Sequence, residues 1–159
     1  MMRVGIGYDI HRLQAGRRLV LGGVEIPSPI GLRGHSDADV VTHALMDAML
    51  GAAAQGDIGQ HFPPDDDRYR DVSSLALLAH VRSILEDCHY TIVNADIVIV
   101  AEKPRMAPFC AEMRTLLAGA LGVDAGVIGI KATTNEGVGP EGRMEAISAH
   151  AVVLLERTP

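Results

Sequence analysis

The stretch Ile147 to Leu155 is apolar at nearly every position, with Ala151-Val152-Val153-Leu154-Leu155 at its heart. A strand that alternates polar and apolar residues leaves one face to water, whereas a strand apolar on both sides belongs to a sheet whose two faces are both covered. Ile92 to Ala101 is a second, nearly continuous β-branched run around Asn94 and Asp96, and Val127 to Thr133 reads as a third strand. Near the start, Val4 to Tyr8 reads as a short strand. Arg18 to Leu21 and Val24 to Ile26 flank Gly22-Gly23, a pair that supplies the positive φ a hairpin turn requires.

Helical spacing fills the gaps between these runs. Val40, Val41, Ala44, Leu45, Ala48 and Met49 predict a helix over Asp37 to Gln55, with Ser36 three residues before Asp39 as a capping-box-like start. Ser73 to Cys88 and Phe109 to Leu121 predict two more, the last opened by Pro108 and stopped by Gly122. Between the first two lies Gly56 to Asp71, where Phe62-Pro63-Pro64 and three consecutive aspartates favour a long loop, the kind that often carries function. The expected architecture is an α/β chain of the α+β sandwich type. It has one mixed sheet covered on one face by helices, a small hairpin, and a single domain over 1–159. Three helices cannot cover both faces of that sheet, so a homo-oligomer packed sheet against sheet is expected.

Composition narrows the function classes. With 159 residues and 48% hydrophobic content the chain can build one real core. A net charge of -6 argues against a reader of nucleic-acid backbones, which needs a basic face to displace counterions. No apolar stretch reaches membrane-spanning length, and Cys88 and Cys110 make neither a zinc knuckle nor a disulfide framework. A soluble protein of the reducing cytoplasm is expected, with no nucleic-acid or membrane partner.

Several residues can carry chemistry. Asp9-Ile10-His11 closes the first strand as a D-x-H pair, and residues two apart on a strand share a face, so carboxylate and imidazole can converge on one ion. His43, inside the first helix, is a third candidate ligand and would give the three-ligand, open-position geometry of catalytic zinc. A surface aspartate beside a hydrogen-bonded histidine explains the same pair without a metal. Asp39 and Asp47, four residues either side of His43, can orient its ring or can be plain solvated acids. His35-Ser36 sits where helix amides favour phosphate, and simple capping by Ser36 is the alternative. Lys131-Ala132-Thr133-Thr134-Asn135-Glu136-Gly137 leaves a strand with hydroxyls and a carboxylate, which suits a diphosphate and a magnesium-type ion, or is an ordinary turn. Arg143 with Glu145 either reaches an anion or forms a structural ion pair.

In order and spacing these pieces form one pattern: GYDIHRL at Gly7 to Leu13, GHSDADVVTHALMDAMLGAAAQGDIGQHFPPDD at Gly34 to Asp66, AEKPRM at Ala101 to Met106, then KATTNEGVG and GRMEAI. The chain resembles the 2-C-methyl-D-erythritol 2,4-cyclodiphosphate synthase family from end to end. The resemblance implies a homotrimer with sheets around the threefold axis and active sites between neighbouring subunits. It implies a zinc held by Asp9, His11 and His43, with Asp9 and His11 also at the substrate. His35, Ser36 and Thr134 would contact the reacting phosphates, His35 and Thr134 as the catalytic pair. Asp57, Ile58, Gly59, Phe62, Pro63, Pro64, Asp65 and Asp66 would line the methylerythritol pocket.

By the same resemblance Ala101, Glu102, Lys103, Pro104, Arg105, Met106 and Ala107 would cradle cytosine. Thr133, Asn135 and Glu136 would serve the diphosphate, with Glu136 on a second divalent ion, Mg2+ or Mn2+, and Arg143 would be an anion contact. The implied lyase of the non-mevalonate isoprenoid pathway takes 4-diphosphocytidyl-2-C-methyl-D-erythritol 2-phosphate, whose 2-phosphate attacks the β-phosphorus and expels CMP. At Pro140 the chain departs from a family that often carries an aromatic residue there, beside an axial cavity. No isoprenoid-diphosphate site is therefore carried over. Two rival readings are a zinc-dependent phosphohydrolase, which lacks an obvious glutamate base here, and a non-catalytic nucleotide-binding trimer, which would not require Asp9, His11 and His43 together.

Overall fold

The computed structural model describes residues 1–63 and 65–158. Its elements run β1 (Met2–Ala15), β2 (Leu19–Leu21), β3 (Val24–Ile26), β4 (Ile30–Leu32), α1 (Val40–Ala52), α2 (Ile58–His61), α3 (Ser74–Asp87), β5 (Tyr90–Val100), α4 (Cys110–Leu121), β6 (Ile128–Thr133), α5 (Gly139–Gly142) and β7 (Ala146–Arg157). The main sheet has the order β4-β1-β7-β5-β6, mixed because only β5 and β6 pair in parallel. The doubly apolar run at the C-terminus is β7, the central strand of the five, flanked by β1 and β5, both antiparallel. The predicted hairpin stands as the two-stranded β2-β3 sheet, turning through Gly22 (φ 55) and Gly23 (φ 79).

Helix α1 lies across β1 and β7 and is buried at almost every residue. Its approach depends on two glycines of β1: a Cβ on Gly5 would stand 2.0 Å from the Ala48 carbonyl oxygen, and one on Gly7 1.9 Å from that of Ala44. The missing side chains let the helix backbone sit directly on the strand. Ala149, Ala151, Val153 and Leu155 of β7, with Ile97 and Ile99 of β5, complete this side of the core, and α3 and α4 close its flank.

The opposite sheet face is open in the single chain. Val4, Ile6, Tyr8 and Ile10 alternate outward along β1, with Val4 and Ile6 70% and 73% exposed, and Val152 joins them from β7. The expected second covering layer is thus absent from the chain's own helices among the described residues.

Several boundaries differ from the sequence expectation. β1 does not end near Tyr8 but continues through Asp9 and His11 to Ala15, so the D-x-H pair lies in mid-strand. α1 starts at Val40, not at Asp37, because Ala38 turns to positive φ (58) and Asp39 becomes the N-cap. Ser36 therefore does not cap this helix. The long loop contains α2, capped by Asp57 through the Gln60 amide, and a 3-10 turn at Asp67–Tyr69. Strand β4 and the short α5 were not expected. No described helix is long and apolar enough to cross a membrane, and Cys88 and Cys110 are free.

Candidate metal centre and substrate pocket

Asp9 and His11 share the face of β1 that also carries Gly5 and Gly7, the face toward α1. His43 descends from α1 to meet them. Asp9 Oδ2 lies 3.1 Å from His11 Nε2 and 3.0 Å from His43 Nδ1, and the three donor atoms lie within 4.8 Å of one another. Side chains of this type at this spacing can hold one divalent ion and leave a coordination position open. The remaining ring nitrogens are also engaged: His11 Nδ1 is 2.7 Å from the Arg33 carbonyl oxygen, and His43 Nε2 is 3.0 Å from Ser74 Oγ and 3.3 Å from Ser36 Oγ. Outer partners of this kind fix ring orientation in metal sites.

The electrostatics agree with that geometry. Burial by itself would push the Asp9 carboxyl up, but hydrogen bonds from His11 and His43, together with their charges, outweigh it and hold the group well below the usual carboxylate range. Burial likewise would lower His11, and the Asp9 hydrogen bond and charge outweigh it and raise the imidazole above its ordinary value.

The cluster opens into a pocket of about 220 Å³ lined by His35, Ser36, Ile58, Gly59 and Phe62, together with Met46, Tyr69 and Leu77. His35 Nε2 lies 3.3 Å from the Asp66 carbonyl oxygen, which ties it to the acidic loop. Phe62 packs edge-on against Tyr69 and His80, with ring centroids 5.4 and 5.6 Å away. Asp57 stands at the α2 N-terminus, Pro63, Asp65 and Asp66 continue the loop, and Pro64 lies outside the described residues. Asp66 is engaged by Arg68 at 2.6 Å.

Neither the Asp39 nor the Asp47 carboxylate bonds the His43 imidazole, contrary to one expectation for them. Asp39 is fully buried and accepts from the Gly22 and Gly23 amides, both at 2.8 Å, from the Val41 and Thr42 amides, and from Thr42 Oγ1, so it clamps the hairpin to the start of α1. Asp47 accepts from the Ile58 amide at 2.8 Å and anchors α2. Sequence reasoning passed over Ser74, which meets the His43 ring from the start of α3, and Asp37, which holds Ser74 from the loop before α1. A lone serine and one aspartate among several carry no spacing signal that would mark them.

The remaining candidates form a second group elsewhere. The Ala101 amide bonds the Thr133 carbonyl oxygen at 3.0 Å, and Glu102 Oε1 accepts from the Asn135 amide at 2.9 Å, so the 101–107 segment and the 133–136 segment are neighbours. Glu136 has positive φ (50) and is exposed. Arg143 is paired with Glu145, Nε to Oε1 2.8 Å, as the structural alternative for it required. The sheet register Asp9↔Ala149↔Ile99↔Ala132 puts the end of β6 three strands from the metal cluster, roughly 14 Å across the sheet. By alternation Thr133 and Lys131 point to the face opposite Asp9 and His11. Within one chain the two groups do not form a single pocket.

These features define a class: a small α+β protein with a carboxylate and two imidazoles set for one metal ion at the mouth of a largely apolar pocket, and a second polar loop cluster remote from it. The chain belongs to the YgbB family, whose model matches residues 2–156. A 2-C-methyl-D-erythritol 2,4-cyclodiphosphate synthase of Syntrophomonas wolfei is 57% identical over 156 residues, covering 98% of this chain and 99% of that one. The protein of the same description from Gloeobacter violaceus is 57% identical over 155 residues, with 98% and 95% covered. Among solved structures, the bifunctional IspDF from Campylobacter jejuni superposes with a TM-score of 0.95 at 36% identity, covering 99% of this chain and 42% of that longer one. IspF of Plasmodium falciparum, solved as a CDP complex, superposes with a TM-score of 0.87 at 31% identity, with 99% and 97% covered.

Proposed function

We infer that this chain is a 2-C-methyl-D-erythritol 2,4-cyclodiphosphate synthase, a lyase acting on 4-diphosphocytidyl-2-C-methyl-D-erythritol 2-phosphate in isoprenoid precursor synthesis. An oxygen of the substrate's 2-phosphate forms a bond to the β-phosphorus, the bond from that phosphorus to the CMP oxygen breaks, and the cyclic diphosphate and CMP leave. The observation that carries this reading is the convergence of Asp9, His11 and His43 beside Ile58, Gly59 and Phe62 in one pocket. The relatives of the same description, matched over nearly their whole length, support it.

The reaction needs no protein nucleophile, so catalysis rests on positioning and charge neutralisation. One carboxylate oxygen and two imidazole nitrogens, each imidazole with its other nitrogen already engaged, are a donor set that fits zinc. Zinc bound there supplies Lewis acidity toward a phosphoryl oxygen. Glu136 offers a single exposed carboxylate, which would hold Mg2+ or Mn2+ and let that ion neutralise charge on the diphosphate. His35 and Ser36, at the pocket wall, donate hydrogen bonds to phosphate oxygens and hold the attacking group in line. Ile58, Gly59 and Phe62 hold the methylerythritol chain and exclude water, which keeps hydrolysis from competing with cyclisation.

The cytidine and diphosphate would be held by Ala101 to Ala107 with Thr133, Thr134, Asn135 and Glu136. Because that cluster lies across the sheet from Asp9, the complete site takes it from a neighbouring copy. A homotrimer, sheets inward, brings the two half-sites together and buries Val4, Ile6, Tyr8, Ile10 and Val152. The cytoplasm is the compartment of this reading.

Phosphorus NMR of the zinc-loaded protein with magnesium and the cytidine substrate tests it. Cyclic diphosphate and CMP should appear together. CMP with a linear product would show water as the nucleophile and contradict the cyclisation.

A further inference from the structure

The nearest partner of His43 Nε2 is neither a carboxylate nor a backbone carbonyl but a serine hydroxyl held by a carboxylate. Ser74 is fully buried at the first turn of α3. Its hydroxyl contacts Asp37 Oδ1, and its amide donates to Asp37 Oδ2 at 2.8 Å. A carboxylate only accepts, so the single Ser74 hydroxyl proton goes to Asp37. Toward His43 Nε2, 3.0 Å away, the same oxygen then presents lone pairs alone. The imidazole must donate there, which places its proton on Nε2 and turns Nδ1 toward Asp9 Oδ2, 3.0 Å distant.

We propose that Asp37 and Ser74 form a positioning relay that fixes Nε2–H on His43 and so makes Nδ1 the metal-binding atom. The inference rests on the metal-site reading above and deepens it. Ser36 Oγ, 3.3 Å from the same Nε2, is the weaker second acceptor and retains a proton for a phosphate oxygen. The relay also joins elements: Asp37, before α1, holds Ser74 at the opening of α3, and Ser74 in turn holds the ring of His43 on α1. This explains why Ala38 adopts positive φ (58), since that turn sends the neighbouring carboxylates apart, Asp37 to Ser74 and Asp39 to the hairpin. The second-sphere carboxylate common in histidine–metal sites is thus present, moved one hydroxyl outward.

The test compares zinc affinity, by chelator competition on folded protein, for the parent, Ser74→Ala, Asp37→Asn and Ser73→Ala. Ser73 is the control, because it precedes the same helix without a side-chain capping bond. Ser74→Ala should weaken zinc binding about tenfold or more, with Asp37→Asn in the same direction and Ser73→Ala unchanged. In the Ser74→Ala background, adding Asp37→Asn should cost little more, since the two act in series. Nitrogen-15 NMR of the zinc-loaded parent should find His43 bound through Nδ1 with a proton on Nε2. Zinc on Nε2, or parent-like affinity in both relay variants, overturns the relay while leaving the metal site standing. A parent that takes up no zinc removes the metal-site reading itself, and the relay with it.

Discussion

Asp9 is the residue on which the most depends, since two imidazoles converge on one of its oxygens. His43→Ala should lose both bound zinc and turnover, checked by metal analysis and product formation; a zinc-replete, active variant would remove His43 from the ligand set. The metal-free protein should also report the pair by its pH dependence. His11 is raised in the folded state, so its contribution to stability is complete below its unfolded value, about 6.5, and disappears as pH rises through the folded one. Asp9 is depressed, so its contribution holds above the unfolded carboxylate value and is lost only as acid reaches the folded one. Thermal melts of metal-free protein should therefore fall on going from pH 6 toward alkaline buffer, roughly as His11 deprotonates, and zinc should offset the loss. Asp9, His11 and His43 were legible as candidate ligands because two residues of a D-x-H pair share a strand face, and the family resemblance joined His43 to them. Ser74 and Asp37 were not, because what marks them is a contact between the start of α3 and the loop before α1, 37 residues apart in the chain.

Among the elements, β1 and α1 set the site, and their contact is unusually close. Gly7→Ala should push α1 off the strand and cost on the order of 3 kcal/mol by denaturant titration, with zinc affinity falling as His43 moves from Asp9. An unchanged unfolding midpoint would mean the helix gives way without penalty. Asp39→Ala should be comparably costly, about 2–4 kcal/mol, since it strands the buried Gly22 amide and uncaps α1. The helices and the long apolar strands were legible through their periodicity. The length of β1 was not, because Arg12, Leu13, Gln14 and Ala15, beyond the D-x-H pair, carry little of the apolar or β-branched signal that marks a strand. The start of α1 was misplaced because Ser36 with Asp39 three residues on looks like a capping box, and only the backbone turn at Ala38 makes Asp39 itself the cap.

The single chain has one open apolar sheet face and two separated groups of candidate site residues, and the proposed trimer would answer both. The doubly apolar β7 predicts a sheet covered on both faces; α1 covers one, and the second cover is what the proposed oligomer would supply. Ile6→Asp, placed on the exposed face, should yield a smaller species by analytical ultracentrifugation that still binds zinc yet forms little product. The most direct test of the shared site is complementation. A His43→Ala chain and a Glu136→Ala chain, each inactive alone, are co-refolded and assayed for cyclic diphosphate. If the site lies between copies, mixed assemblies contain interfaces in which an intact metal cluster from one chain meets an intact diphosphate cluster from another, and activity returns to a fraction of the parent's. If each chain carries a complete site of its own, no mixture can restore one, and the co-refolded sample stays as inactive as its components.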